Sequence, residues 1–331
     1  MVDINVEAQV SQLDYLSILA ESGMRPGSWN TLRSLAAISE IALKMQGTTI
    51  DSYLKQGKFT LGSSVVGSLA AFSRAARREV EIVVAVGIGS HNALSRVIGT
   101  SFLDMLRKYL STVRVTHAIG DSEVCLCLYH KGIPDRTMFS YQGLSPRQFS
   151  LRPASLSNTT ALISAFELAR GLIAIEATEL RSRNVSLAIG LGDKKILTKR
   201  LCRTIRGLIR DRVVSYIFGD TNEYRQLLDQ VNHNSDIIES LCHYSRRSPT
   251  TYLMTAGAVG MYAVSTGKVE FLPSRLASGL VNTNGAGDAA TGGFLSEHLR
   301  SSNLKSALLS ARTCAEAVLT SPSSLVECPF A

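Results

Sequence analysis

Short runs rich in β-branched and apolar residues alternate along this chain with stretches whose apolar positions recur every three or four residues. Glu81–Val86 (EIVVAV), Leu172–Ala177 (LIAIEA), Val185–Ile189 (VSLAI), Val213–Phe218 (VVSYIF) and Tyr252–Thr255 (YLMT) read as strands. Thr160–Arg170 and Thr198–Arg210 read as amphipathic helices. In the second, Leu201, Ile205, Leu208 and Ile209 form one face, and Arg200, Arg203, Arg206 and Arg210 the other. The alternation predicts an α/β fold with a mostly parallel central sheet covered by helices on both faces. Ligands of such sheets sit beyond the carboxyl ends of the strands, where Gly87, Asp193, Asp220 and Gly257 fall. One region breaks the pattern. Glu123–Tyr129 (EVCLCLY) and Arg136–Tyr141 (RTMFSY) flank the turn residues His130–Asp135 and predict a hairpin, either a small β lid or an antiparallel edge ribbon.

Composition narrows the function classes. The 331 residues are 45% hydrophobic and 19% charged, which suits a soluble globular protein with a substantial core. No run of about 18 uncharged apolar residues occurs, so no membrane association is expected. Asp3, Glu7 and Asp14 occupy the start in place of a secretion signal. Six cysteines without C-x-x-C pairs or metal-ligand spacing read as free thiols of a cytoplasmic protein. Cys125 and Cys127 face the same side of a strand, where a bond between them is geometrically poor. The six histidines form no H-E-x-x-H. A net charge of +8 raises nucleic acid as a partner, but the densest basic stretch, Lys194–Arg212, has few interleaved aromatics. It reads as a solvated helix face, and no nucleic-acid partner is expected.

The stretch richest in chemistry is Asn282–Leu295, NTNGAGDAATGGFL. Gly285-Ala286-Gly287 lead into Asp288 and a run of small residues suited to close helix packing. Uncovered backbone amides at a helix start attract anionic oxygens, and a carboxylate beside them can take a proton from an attacking hydroxyl. A base beside an anion cradle is the central need of phosphoryl transfer.

That segment strongly resembles the C-terminal signature of the PfkB (ribokinase-like) kinases, D-T-x-G-A-G-D followed by small residues and G-F, in wording closest to adenosine kinases. Weaker matches follow in the family's order. Val2-Asp3-Ile4 with Gly23–Ser28 is similar to the adenosine-kinase start, and Gly62-Ser63-Ser64 sits where the family has G-G-x-x-x-N. Gly87-Ile88-Gly89 resembles the G-x-(I/V)-G-x-D segment, and Asp135-Arg136-Thr137-Met138 the lid strand. Phe218–Glu223 is similar to the element that organises magnesium through N-x-x-E, and Thr255–Gly260 matches T-x-G-x-x-G in full. The departures are Asn282 for the signature's opening Asp, Leu61 and Val66 for a Gly and the Asn of the early motif, and Asp220 and Thr221 for Asn and Glu of the magnesium element. Ser90-His91 displace the Asp after Gly89, and the family's first strand, with G-x-G-N, has no counterpart before Asp3.

The resemblance implies a ribokinase-like α/β domain spanning residues 1–331, with a lid at about 115–145 to which 1–30 can contribute. It implies a kinase using ATP and Mg²⁺ on a hydroxyl of a nucleoside, adenosine first, or of a sugar. Asp288 would be the general base, with Gly285, Ala286 and Gly287 as anion hole. Thr255, Gly257, Gly260, Asn284 and Asp220 would meet the nucleotide, while Asp220 and Glu223 would hold the metal. Asp3, Gly62, Ser63 and Arg136 would meet the acceptor. The residues alone leave ordinary readings open: a helix-capping role for Asp288 and for the Asp220–Glu223 pair, tight turns at the glycines, and a ribbon flank for Arg136. The departures also admit a catalytically impaired protein of this fold, kept for ligand binding or assembly, and either a monomer or a homodimer.

Overall fold

The structure, a computed structural model, describes residues 2–24, 29–55, 60–61, 64–76, 83–89, 93–107, 112–118, 123–130, 133–141, 143, 157–171, 175–229, 234–275 and 283–321. The first elements are β1 (Val2–Glu7), α1 (Gln12–Glu21), β2 (Trp29–Leu32), α2 (Leu35–Gln46), α3 (Ile50–Lys55), β3 (Thr60–Leu61) and α4 (Ser64–Ala75). Next come β4 (Val83–Gly89), α5 (Ala93–Arg107), β5 (Thr112–Ala118), β6 (Val124–His130) and β7 (Ile133–Tyr141). The second half continues with β8 (Thr159–Ser164), α6 (Ala165–Ala169), α7 (Ala177–Ser182), β9 (Val185–Gly190), α8 (Lys199–Arg210), β10 (Val214–Asp220) and α9 (Thr221–Leu227). It ends with α10 (Asn234–Arg247), β11 (Thr251–Thr255), β12 (Gly260–Ser265), β13 (Lys268–Pro273), α11 (Ala286–Ser301) and α12 (Leu304–Leu319). Among the described residues no helix is long and apolar enough to cross a membrane.

The chain folds as two compact units, residues 1–63 with 82–149, and residues 64–81 with 150–331. In the first, five strands run in the order β2-β7-β6-β1-β3, and β4 pairs in parallel with β5. The predicted hairpin forms, Val124 opposite Tyr141, but β2 and β1 flank it, so it is the interior of a sheet and not an edge ribbon. Buried Cys125 and Cys127 project to one side of β6 as free thiols, their sulfurs 3.7 Å apart.

The second unit is built on the six-stranded sheet β13-β12-β11-β10-β9-β8. Strands β8 to β11 are mutually parallel, and β12 and β13 return antiparallel. Both faces are covered, as alternation along β10 requires. Tyr216 and Phe218 meet His298 and Phe294 of α11 on one face. Ile217, pointing the other way, lies in a buried cluster with Leu201, Ile205, Leu208 and Ile209 of α8. Thr198 caps α8 by accepting from the Leu201 amide, and its arginine face stays in solvent apart from Arg206, which pairs with Asp229 at 2.7 Å.

One predicted strand is misplaced. Leu172–Ala174 lie outside the described residues, Ile175 and Glu176 are irregular, and Ala177 opens α7. Instead β8, at one edge of the sheet, overlaps the start of the stretch expected to be helical. A capping box at Ser164, with Glu167 reaching back to the Ser164 amide at 2.9 Å, separates that strand from the one-turn α6.

Candidate functional site

Strands β9, β10 and β11 end side by side, so residues distant in sequence meet at one end of the sheet. Asp220, last in β10, stands opposite Thr255, last in β11. The Thr221 hydroxyl donates to the Thr255 carbonyl at 3.4 Å. At this point β10 gives way to a helix because Asp220 caps it. The Asp220 carboxylate accepts from the Glu223 amide at 2.8 Å, and the Glu223 carboxylate accepts from the Asp220 amide at 2.8 Å. Buried Tyr224 holds α9 down, its hydroxyl reaching the carbonyls of Ile217 (2.7 Å) and Leu253 (3.1 Å).

Glu223 is buried, and a Cβ on Gly219 would stand 2.8 Å from its Oε2. Burial first, and then the negative charges of Asp220, Asp193 and Asp288, push its carboxyl up to about 7, against the opposing pull of the Asp220 amide. These influences join four acids from two strand ends (Asp193 after β9, Asp220 of β10) and two helix starts (Glu223 of α9, Asp288 of α11). Asp193, just beyond β9, accepts from the Lys195 amide at 2.7 Å. Sequence reasoning placed it at a strand end but gave it no role. Its signal was the Gly-Asp pair after a predicted strand, which becomes informative only beside Glu223.

A stability prediction follows. The folded chain holds the Glu223 proton more tightly than an unfolded chain, whose carboxyl titrates near 4.5. The resulting stabilisation is therefore complete below that pH and is lost as pH rises through about 7. Urea midpoints measured across this window should fall in the wild type, by at most about 3 kcal/mol of unfolding free energy. Glu223→Gln, which keeps an acceptor for the Asp220 amide, should flatten the profile.

The glycine-rich turn lies at the start of α11. Gly285 is its N-cap at φ 82°, a conformation that a side chain strains, and it supplies no side-chain cap. The Ala289 amide donates to the Gly285 carbonyl at 2.8 Å as an intrahelical bond, while the amides of Ala286 and Gly287 sit ahead of it at the helix mouth. Gly287 differs from Gly285. It is exposed, its backbone is not left-handed, and a Cβ there would have nothing within 4 Å. The fold accounts for Gly285 but makes no demand for glycine at 287. Asn284 is half-buried in the turn, and Asp288 is half-buried in the first turn of α11. Asn282 lies outside the described residues.

In the Thr255–Gly260 loop, the Ala256 amide donates to the Gly260 carbonyl at 2.8 Å around a short 3₁₀ turn. Gly257 is exposed, whereas Gly260 is required by the fold itself. Its φ is 136°, and a Cβ there would overlap the Leu272 carbonyl oxygen of β13. Of the expected acceptor residues, Asp3 is on β1, opposite Cys125 and Thr60, and Arg136 is on β7. Gly62 and Ser63 lie outside the described residues. Val66, in the place of the family's Asn, is buried within α4.

Asp220 and Glu223 could hold a hydrated magnesium ion at this end of the sheet. Asp220 and Glu223 already bind each other's amides, and among the described residues no three His, Cys, Asp or Glu side chains could hold a metal together. Burial is the first cause of the raised Glu223 carboxyl, and the repulsion by Asp220, Asp193 and Asp288 that adds to it is what a hydrated cation would relieve.

Residues 189–329 match the pfkB family carbohydrate kinases. No curated protein matches the sequence. Among solved structures, the fold is similar to the adenosine kinase of Sinorhizobium meliloti, with a TM-score of 0.75 at 16% identity over 100% of this chain and 94% of that one. A probable sugar kinase of Rhizobium etli CFN 42 gives 0.75 at 14% identity, over 99% and 93%. The adenosine kinase of Schistosoma mansoni in complex with 2-fluoroadenosine gives 0.72 at 11%, over 99% and 95%. The chain thus has the ribokinase-like fold throughout, and it matches the PfkB carbohydrate kinases in sequence over the part that bears Asp220, Glu223, Thr255 and Asp288.

Proposed function

We propose that this protein is an ATP- and magnesium-dependent kinase that phosphorylates a hydroxyl of a nucleoside, adenosine first, or of a sugar. The observation that carries the reading is the start of α11, where uncapped amides, an unneeded glycine at 287 and the Asp288 carboxylate occur within one helical turn. Asp288 takes the proton of the acceptor hydroxyl as it attacks the γ-phosphorus, and the amides of Ala286 and Gly287 receive the charge that spreads over the transferring oxygens. Thr255, Gly257 and the exposed Val259, at the end of the strand beside Asp220, offer backbone and an apolar surface to the nucleotide. Asp220 and Glu223 would hold the metal through its water shell; when bound, magnesium neutralises phosphate charge. Asp3 and Arg136 keep their acceptor roles in this proposal, and residues 115–145 their role as lid.

A second reading has its own observation. Val66 is an apolar core residue where the family has an asparagine, which favours an impaired protein that binds ligand without turnover. ADP release measured across nucleosides and sugars, with and without magnesium, decides between them. Acceptor-dependent ADP supports the kinase. Ligand-induced melting shifts with no ADP from any acceptor support the binder.

Gly287→Ala separates ligand contact from local folding. Alanine at an exposed helix position should raise stability by up to about 1 kcal/mol. If nucleotide backbone contact is why glycine is there, the same change should lower kcat/KM for ATP at least about tenfold. Stability and kcat/KM both unchanged or both improved would remove the anion-hole assignment.

A further inference from the structure

Gly67 lies inside α4, in a buried part of the helix, with ordinary helical backbone. Glycine is a poor helix former, so its presence there calls for a reason outside the helix. The structure supplies one. A Cβ at position 67 would find as its three nearest neighbours atoms of a single residue, the Cβ (3.1 Å), Oδ2 (3.5 Å) and Cγ (3.7 Å) of Asp288. The first of these is closer than neighbouring atoms ordinarily stand, so a methyl group on 67 must displace the Asp288 side chain or the start of α11. Helix α11 is packed closely on two sides, which limits how far it can shift. One turn further along α11, Gly292 sits so close to α4 that its own Cβ would overlap the Ser68 carbonyl oxygen, and on the other side Gly293 rests against Ser310 and Cys314 of α12. Helix α11 is held between two neighbours, and strain at 67 falls on Asp288.

We propose that Gly67 is a positioning residue for the Asp288 carboxylate, its missing side chain being the wall against which that carboxylate is set. This rests on the reading of Asp288 as general base. The position lies on an element more than two hundred residues earlier in the chain, next to Val66 where the early motif is degraded, yet it faces the intact end of the machinery.

The test has a geometric arm and a catalytic arm. In thermal melts, Gly67→Ala should lower the midpoint of the wild type but raise it in an Asp288→Gly background, where the obstructing side chain is gone and alanine only improves the helix. If Gly67→Ala does not accumulate as folded protein, recovery of folding by Asp288→Gly replaces the wild-type melt. The same response in both backgrounds, or failure of that recovery, would overturn the contact. In steady-state kinetics with the acceptor found by ADP release, Gly67→Ala should lower kcat about 10- to 100-fold with both KM values within about twofold, because a displaced base affects the step and not the binding. In an Asp288→Asn background it should cause no further loss. Wild-type kcat in Gly67→Ala, alongside an inactive Asp288→Asn, would overturn the positioning role. An active Asp288→Asn with the melting difference intact would overturn the base assignment and leave the contact standing.

Discussion

Asp288→Asn is expected to fold and to lose phosphoryl transfer by about a thousandfold, the middle of the range for removing a general base. Asparagine matches the carboxylate in size, so the packing against Gly67 is kept. What changes is charge and basicity. An acid in the first turn of a helix contributes about 0.3–1 kcal/mol through the helix dipole, which sets the expected loss of stability. A thousandfold in rate is about 4 kcal/mol of transition-state stabilisation, far above that loss. Coupled measurement of ADP release with a parallel melting curve separates the two, and undiminished turnover would strip Asp288 of the role. A second consequence is electrostatic. Asp288 is one of three carboxylates that raise Glu223, so its neutralisation should move the pH-dependent fall in stability toward lower pH.

Gly292→Val should be the most damaging single change to the fold of the second unit. A Cβ at 292 would overlap the Ser68 carbonyl oxygen and stand 2.8 Å from both the Ala71 Cβ and the Phe72 amide nitrogen. Two of those three neighbours are backbone and cannot rotate away. Overpacking normally costs about 1–3 kcal/mol, and a branched side chain driven into a helix backbone should exceed it, at about 3–5 kcal/mol. Gly207→Ala in α8 is the control, since a Cβ there meets nothing within 4 Å and should stabilise by up to about 1 kcal/mol. Denaturant midpoints of the two variants should move in opposite directions. A Gly292→Val midpoint close to that of the wild type would mean that α4 and α11 are not in backbone contact.

Local signals were readable where one cause dominates. The arginine and leucine faces of α8 are separated by the helical period, and β9, β10 and β11 are short apolar runs closed by Gly, Asp or Thr. The hairpin followed from two extended runs around a turn. The error at 160–177 arose where two signals compete. LIAIEA is apolar enough for a strand, while TTALIS runs without a visible break into AFELA, and the Ser164–Glu167 capping box marks the boundary only when its residues are read together. The two strands added in antiparallel, β12 and β13, went unread although a local signal exists: Thr266 and Gly267, both at positive φ, form a two-residue hairpin turn between them.

By itself the sequence determined the composition of the site: a left-handed turn at Gly285, an uncapped helix start, an acid in its first turn, and a capping pair at Asp220 and Glu223. Each depends on neighbours within four residues, where backbone geometry is local. Tertiary structure alone decided what these parts act upon. Parallel strands and the packing of α11 bring Asp193, Asp220 and Asp288 into electrostatic reach of buried Glu223 although the first and last are 95 residues apart in sequence, and the approach of α4 places Gly67 against Asp288. Strand order and helix packing are set by burial of apolar surface across the whole unit, which no short segment encodes.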